Sequence, residues 1–185
     1  MPSSEKSHRG SPFAQELIVH LQSDSTLRNT GRGEQLNLQV NGQGMCYLIL
    51  EGTIAVYRRS DNMMLSTARN PAIFGLANLT DIYFDDYLKT VTPCLIGVIS
   101  TVRVNEIIKE KALWGLLSKQ LMFTYNRLYN NVMPYGAPTA YEMIRQQLIK
   151  LMEEDEGYRT VVTAERYIRE KTQLSRSGIM RILAD

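Results

Sequence analysis

The sequence predicts an α+β fold, in which an antiparallel β-barrel of jelly-roll type is followed by a long helix and a terminal pair of short helices. Three observations lead to this prediction. Short β-rich runs separated by turn residues fill residues 36–100, and many strands at near-regular spacing favour a closed antiparallel architecture. Helical periodicity then extends over residues 113–132. Two amphipathic segments, 163–171 and 174–183, have the lengths of helices joined by a tight turn.

The first residues divide into a tail and a short helix. Residues 1–12 are rich in serine, charge, glycine and proline and lack the apolar residues that ordering requires, so we expect a disordered tail. Phe13, Leu17, Ile18 and Leu21 follow at i, i+4, i+5 and i+8, a spacing that predicts an amphipathic helix.

The barrel prediction depends on alternating apolar runs and on the turns between them. Strands are expected at residues 36–40, 46–50, 53–58, 63–68, 87–91 and 95–100. Gly52 is expected to supply a positive φ in a hairpin, and Gly75 a close approach between backbones. Residues 13–111 thus form the predicted sensor-like β-domain.

The long helix predicted at residues 112–133 is apolar on more than one face. One face can cover the β-domain while the other meets a second copy of the chain, so we predict a homodimer. The alternative is a helix buried entirely within its own monomer. The expected dimer contacts lie along one stripe: Leu117, Leu121, Tyr125, Leu128 and Val132.

Residues 134–138, bounded by Pro134 and Pro138, should end the long helix and form a hinge between domains. The C-terminal domain, residues 139–185, is expected to begin with a helix at 139–152. A short strand at 158–162 should follow, and then the terminal pair of helices.

The last helix, expected at residues 175–184, has two contrasting faces. Ser175 is the expected N-cap, and the apolar residues after it point into a small core. The opposite face is polar and cationic, which suits the base edges and phosphates of a major groove in double-stranded DNA. The candidate DNA-binding residues are Ser175, Arg176, Ser177, Met180 and Arg181, together with Thr163 and Lys171 on the preceding segment. The alternative is an ordinary amphipathic helix with solvated arginines.

Charge favours the nucleic-acid interpretation. The whole chain carries a net charge of only +2, yet residues 158–184 hold six basic and two acidic side chains. Basic side chains that neutralise phosphates release condensed counterions, so such a local excess is typical of a DNA-binding unit.

Other chemistries have little support. Cys46 and Cys94 lie in apolar runs, which indicates reduced thiols packed as small hydrophobes in a cytoplasmic protein. A redox switch is less favoured because neither thiol has a cationic neighbour in sequence. Two cysteines cannot hold an iron–sulfur cluster alone, and the only histidines, His8 and His20, precede the barrel. We therefore expect no metal site, no enzyme activity, no membrane span and no export signal.

Two motifs carry a resemblance to a known family. Residues 47–56 match the pattern Y-x-I-x-x-G-x-[VI]-x-V, and residues 174–183 contain a helix pattern S-R-x-x-[VI]-x-R-[IL]-L that begins at Ser175. In these motifs and in its domain order the chain resembles the Crp/Fnr (cyclic-AMP-receptor/fumarate-nitrate-regulator) superfamily of bacterial transcription factors, from about Leu36 onward. The resemblance implies a cyclic-nucleotide-binding-like barrel, a dimerisation helix, a winged helix-turn-helix and RNA polymerase as a partner. Within the superfamily the chain is similar to regulators of hydrogen peroxide resistance, which implies a link to oxidative stress.

The ligand-binding segment departs from the family pattern. Where cyclic-nucleotide binders have glutamate after glycine, Gly75 is followed by Leu76, and residues 80–87 contain three aspartates and no arginine. An anionic phosphate would be repelled there, so we expect no cofactor and no cyclic AMP binding of the usual kind. Any ligand pocket should be lined from this segment by Gly75, Leu76, Ala77, Asn78, Tyr83 and Tyr87. An enclosed polar interior would favour a small ligand, and a filled apolar one a partner-driven regulator.

The DNA-reading helix departs less from the family. The resemblance implies that Arg176 reads guanine and that Arg181 contacts a base or a phosphate. Ser177 stands where the family often has glutamate, so a different half-site is expected. The sequence ends at Asp185, and the β-wing is expected to be absent or truncated. A ligand- or protein-interaction module that does not bind DNA is the alternative on the same fold.

Overall fold

A computed structural model describes residues 10–80, 85–132 and 139–184, and all structural statements below concern those residues. The strands are β1 (Thr26–Thr30), β2 (Gln35–Asn37), β3 (Gln39–Val40), β4 (Gln43–Glu51), β5 (Thr53–Arg58), β6 (Met64–Arg69), β7 (Ala72–Phe74), β8 (Asp86–Thr90) and β9 (Cys94–Ser100). The α-helices are α1 (Pro12–Leu21), α2 (Thr101–Glu110), α3 (Trp114–Val132), α4 (Ala140–Glu153), α5 (Glu156–Arg159), α6 (Ala164–Lys171) and α7 (Arg176–Ala184).

The strands form two antiparallel sheets, which confirms the predicted fold class. The first sheet has the order β1-β9-β4-β3, with β7 also paired to β4, and the second has the order β2-β8-β5-β6. The predicted bounds of β5 are those observed, whereas β1 and β7 were not predicted from sequence. Polar residues in β1 and the short length of β7 explain why the apolar pattern missed them.

The space between the two sheets is filled by apolar side chains. Tyr47 and Ile49 of β4 meet Ile54 of β5 and Leu88 of β8, all of them buried. Cys94 lies in the same cluster. The described part of the interior is therefore a filled apolar core.

The outer face of the first sheet is covered by helices. Cys46 and Leu48, which alternate with Tyr47 and Ile49 along β4, pack against α1, α2 and α3. Because both faces of β4 are buried, its sequence is a nearly continuous apolar run. Burial raises the pKa of the Cys46 thiol to about 12 and also raises the pKa of Cys94, so both thiols are protonated at neutral pH.

The outer face of the second sheet is covered by the C-terminal helices. Ala55 and Tyr57 of β5 point outward, and they pack with Tyr87 of β8 against Tyr158 and Tyr167 of the C-terminal unit. Tyr57 and Tyr87 pair across the strands and stack with ring centroids 5.4 Å apart. Residues 139–184 are thus docked onto the β-domain.

Local capping explains where the C-terminal helices begin. Thr139 and Glu142 form a reciprocal capping box at the start of α4. The strand expected at 158–162 is wrong, because Tyr158 lies in the short helix α5. The buried Tyr158 ring packs between the β-domain and the C-terminal helices, and the helical conformation of α5 places it there.

The hinge predicted at residues 134–138, residues 1–9 of the predicted disordered tail and Tyr83 lie outside the described residues. The tail prediction is wrong at Ser11 and Pro12, because Ser11 is buried and caps α1, which begins at Pro12. Among the helices that the structure describes, none combines the length and the apolar character needed to cross a bilayer.

Candidate DNA-binding site

Helix α7 is held on a small apolar core. Ile179 is fully buried with Ile144 of α4 and Ile168 of α6, and Leu174, Ile182 and Leu183 pack around them. Ser175 precedes the helix, and its hydroxyl accepts a hydrogen bond from the Gly178 amide at 3.2 Å. The predicted N-cap of α7 and its inward face are both confirmed.

The opposite face of α7 is open to solvent. Arg176, Ser177 and Arg181 are exposed, and the Met180 side chain is 49% exposed. Neither arginine forms an ion pair with any of the described residues. Two unpaired guanidiniums five residues apart on one helix can each form paired hydrogen bonds to guanine or to a phosphate.

The candidate residues on α6 lie in different environments. Thr163 is the N-cap of α6, and its hydroxyl accepts from the Arg166 amide at 3.2 Å. Lys171 at the other end turns away from solvent: its Nζ lies 3.2 Å from Glu154 Oε1 and 2.6 Å from the Tyr167 hydroxyl. In this arrangement Lys171 is not part of the exposed cationic face of α7.

Glu154 is the centre of a buried polar cluster that joins the two domains. Its carboxylate accepts from the Tyr167 hydroxyl at 2.7 Å and from the Thr67 hydroxyl of β6 at 3.3 Å. Arg127 of α3 donates to the Thr67 carbonyl at 2.7 Å. We call Glu154, Tyr167, Lys171 and Thr67 the Glu154 cluster.

Burial sets the titration behaviour of this cluster. Desolvation lowers the pKa of Lys171, while the Glu154 carboxylate opposes that shift. Desolvation also raises the pKa of Tyr167, and the neighbouring Glu154 charge adds to the effect. The phenol is therefore protonated at neutral pH and donates its hydrogen bond to Glu154.

The other basic residues of α6 are partly neutralised. Arg166 pairs with Glu170 and Arg169 with Glu165, each at 2.9 Å and each four residues apart. Ion pairs between residues four positions apart stabilise a helix only weakly, but they neutralise part of the charge of both arginines. Within the described part of residues 158–184, the positive charge without a carboxylate partner therefore comes from Arg159, Arg176 and Arg181.

The described members of the predicted ligand-pocket set lie in different environments. Leu76 is buried in the core beneath the helices, and Ala77 is exposed. Asn78 is buried, and its backbone N–H donates to the Gly75 carbonyl. Tyr87 points out of the sandwich toward the C-terminal unit, because its register partner Tyr57 lies on the outer face. Tyr87 therefore does not line the sandwich interior, and that expectation is corrected.

The predicted dimer residues divide between the two faces of α3. Leu117 is buried in the core of its own chain, so its side chain is not available to a partner. Leu121 is 39% exposed and Tyr125 65% exposed, and Trp114 and Met122 lie in the open beside them. The side chains of Leu128 and Val132 lie outside the described residues. The stripe open to a second copy thus comprises Trp114, Leu121, Met122, Tyr125 and Tyr129.

Sequence reasoning missed the docking of the two domains. The acidic run at 153–156 indicates only the end of a helix, yet it supplies the buried Glu154. One signal was present: in β5, Ala55 and Tyr57 alternate with Ile54 and Val56, so the strand has no polar face. A strand without a polar face is buried on both sides.

Comparisons with known proteins agree with this geometry. Residues 140–185 match the family described as winged helix-turn-helix DNA binding. Two curated relatives, each called inhibitor of hydrogen peroxide resistance, come from Salmonella typhimurium strain LT2 and Escherichia coli strain K12. They are 27% identical over 139 residues and 25% identical over 146 residues, and each match covers 75% of this chain and 67% of the relative.

Solved structures share the architecture at low sequence identity. The c-di-GMP responsive regulator CLP of Xanthomonas campestris superposes with a TM-score of 0.74 at 15% identity, covering 92% of this chain and 90% of CLP. A CooA mutant from Carboxydothermus hydrogenoformans gives a TM-score of 0.65 at 14% identity, covering 89% and 77%. The chain has the fold of the Crp/Fnr-type regulators, and its C-terminal residues 140–185 match the winged helix-turn-helix DNA-binding family.

Proposed function

We propose that this protein is a homodimeric transcription regulator that binds specific double-stranded DNA through α7. The observation that carries the proposal is the exposed, unpaired pair Arg176 and Arg181 on a helix whose other face is locked into an apolar core. Arg176 and Arg181 contact guanine or phosphates, while Ser177 and Met180 fill the groove between them. Such a regulator acts on the chromosome in the cytoplasm, with RNA polymerase as the expected partner.

Dimerisation is supported by the open stripe of α3. Large apolar side chains such as Leu121 and Tyr125 are exposed along one side of the helix, while the other side is buried in its own chain. A second copy of α3 would remove this stripe from water. Two reading helices would then face successive half-sites of one operator.

The DNA-binding test uses selection of binding sites from random duplexes, followed by fluorescence anisotropy with the selected site. Arg176→Ala and Arg181→Ala should each weaken specific binding by about tenfold or more, since a bidentate arginine–guanine contact is worth about 1–3 kcal/mol. The matched control is Lys109→Ala on α2, another exposed cation remote from α7, which should bind as the wild type does.

Two results would contradict the proposal. One is the recovery of no enriched sequence, which would favour an interaction module that does not bind DNA. The other is equal affinity of the wild type and the Arg176→Ala/Arg181→Ala double variant at low salt, where phosphate contacts are strongest.

The proposed regulator does not respond to cyclic AMP in the usual way. Leu76 occupies the position of the ribose-binding glutamate and is buried in the core beneath the helices, and the described interior between the sheets is apolar. Calorimetric titration with cyclic AMP should therefore show no binding, and micromolar affinity would overturn this part of the proposal.

A role in oxidative stress is supported by the two relatives called inhibitor of hydrogen peroxide resistance. We infer that this regulator also controls genes that determine survival in peroxide. Survival of a deletion strain in hydrogen peroxide, compared with its complemented parent, tests this inference.

A further inference from the structure

A cleft of about 340 Å³ lies along the seam between the β-domain and the C-terminal unit. This volume is within the range of small-molecule sites in proteins. Its apolar walls come from both domains: Tyr57 and Val91 of the β-domain, and Tyr158, Val161 and Val162 of the C-terminal unit. An occupant would contact both domains at once.

The charged groups in this cleft do not balance. Three cationic side chains, Arg32, Lys89 and Arg166, line it together with one carboxylate, Glu170. That carboxylate is already occupied: Oε1 accepts from Arg166 at 2.9 Å, and Oε2 accepts from the Tyr57 hydroxyl at 3.0 Å. Arg32 and Lys89 therefore remain as two positive charges without a carboxylate partner among the described residues.

Lys89 is one of these two unpaired cations, and its position directs it toward the cleft. Lys89 lies on β8 opposite Ala55, on the same outward face as Tyr87, and this face is covered by the C-terminal unit. The lysine is half-buried, and the structure gives it no ion pair with any described residue. A partly buried lysine packs its stem along apolar surface and keeps its ammonium in the open cleft, where an anion can reach it. Arg32 is fixed nearby, because its Nη2 donates to the Val161 carbonyl at 3.0 Å.

We propose that this cleft is a binding site for a phosphate monoester carried on an aromatic group. Two unpaired cations match the charge of a phosphate monoester, which carries about −1.5 to −2 at neutral pH. Arg32 and Lys89 hold the phosphate oxygens through charge-assisted hydrogen bonds, and the Tyr57 and Tyr158 rings bound the aromatic group. This site differs from the apolar interior between the sheets and does not depend on DNA binding.

The test is isothermal titration calorimetry at low ionic strength with three probes: AMP, adenosine and inorganic phosphate. AMP should bind at least about tenfold more tightly than either of the others, because only AMP offers both the dianion and the ring. Lys89→Gln and Arg32→Gln should each weaken AMP binding by about tenfold, and Lys89→Arg should retain it. Lys109→Gln, an exposed lysine outside the cleft, is the matched control and should bind AMP as the wild type does.

Three results would overturn the proposal: no AMP binding by the wild type, adenosine binding as tightly as AMP, or full AMP affinity in both glutamine variants. Circular dichroism establishes that each variant is folded. If Lys89→Gln does not fold, Arg32→Gln decides alone, because its exposed guanidinium is dispensable for the core. The calorimetric assay contains no DNA. A negative result would therefore contradict the phosphate site without bearing on the proposed DNA-binding function.

Discussion

At the scale of single residues, Asp61 forms an ion pair with Arg58 at the turn between β5 and β6. Its carboxylate accepts from Arg58 Nε at 3.0 Å and from Nη2 at 2.6 Å. The Arg58 hydrogen bonds, with a further one from the Met63 amide, lower the pKa of Asp61 from 3.8 to about 2. Gln173, between α6 and α7, lowers that pKa slightly further. The carboxylate of Asp61 thus holds the turn between β5 and β6 through Arg58 and the Met63 amide.

This shift predicts a dependence of stability on acid. Because the folded-state pKa lies below the unfolded value, the stabilisation from Asp61 is present above pH 3.8 and is lost as the pH falls from 3.8 toward about 2. Urea unfolding at about pH 5 and about pH 3 should show a smaller loss of stability for Asp61→Asn than for the wild type. An equal loss of unfolding stability in the wild type and in Asp61→Asn would contradict the lowered pKa of Asp61.

At the scale of elements, α3 differs from an ordinary amphipathic helix because two of its sides carry apolar residues. One side packs on α1 and the β-domain, where Phe13 and Phe123 meet edge to face with centroids 6.3 Å apart. The other side exposes the stripe that includes Leu121 and Tyr125. Sequence periodicity alone predicts both faces but not which residue lies on which, as Leu117 illustrates.

A charge placed on the open stripe of α3 should separate the proposed dimer. Leu121→Glu should sediment as a monomer at concentrations where the wild type is a dimer, because an unpaired carboxylate would be buried in the interface at a cost of several kcal/mol. Lys119→Glu introduces the same residue off the stripe on the same helix and should leave the dimer intact. A wild-type monomer in analytical ultracentrifugation would contradict the dimer proposal.

At the scale of the whole molecule, four layers are stacked: helices, the first sheet, the second sheet and the C-terminal unit. The Glu154 cluster closes the last interface, with Glu154 7% exposed and hydrogen-bonded to both domains. Beside it, Arg69 of β6 pairs with Asp155 at 3.3 Å. The position of the C-terminal unit, which carries α7, is therefore stabilised by polar contacts between the domains as well as by apolar packing.

A double-mutant cycle measures how far the Glu154 cluster acts as one unit. Glu154→Gln and Lys171→Met should each lower the free energy of unfolding in urea by about 3 kcal/mol, because each leaves a buried charge without its partner. The double variant should lose about 1–2 kcal/mol less than the two single losses combined. Glu153→Gln, at an exposed neighbouring position, should change stability by less than about 0.5 kcal/mol. Strict additivity would show that Glu154 and Lys171 are not coupled.

The sequence by itself determined the antiparallel strands, the long helix, and the cap and inward face of α7. These features depend on periodicity and on contacts within a few residues, such as Ser175 with Gly178. Only the tertiary structure decided that Lys171 is buried against Glu154, that Tyr87 faces the C-terminal unit, and that Leu117 packs in its own chain. The physical reason is that a side chain's partner can lie far away in sequence: Thr67 and Glu154 are 87 positions apart, and no local pattern encodes which covered face meets which helix.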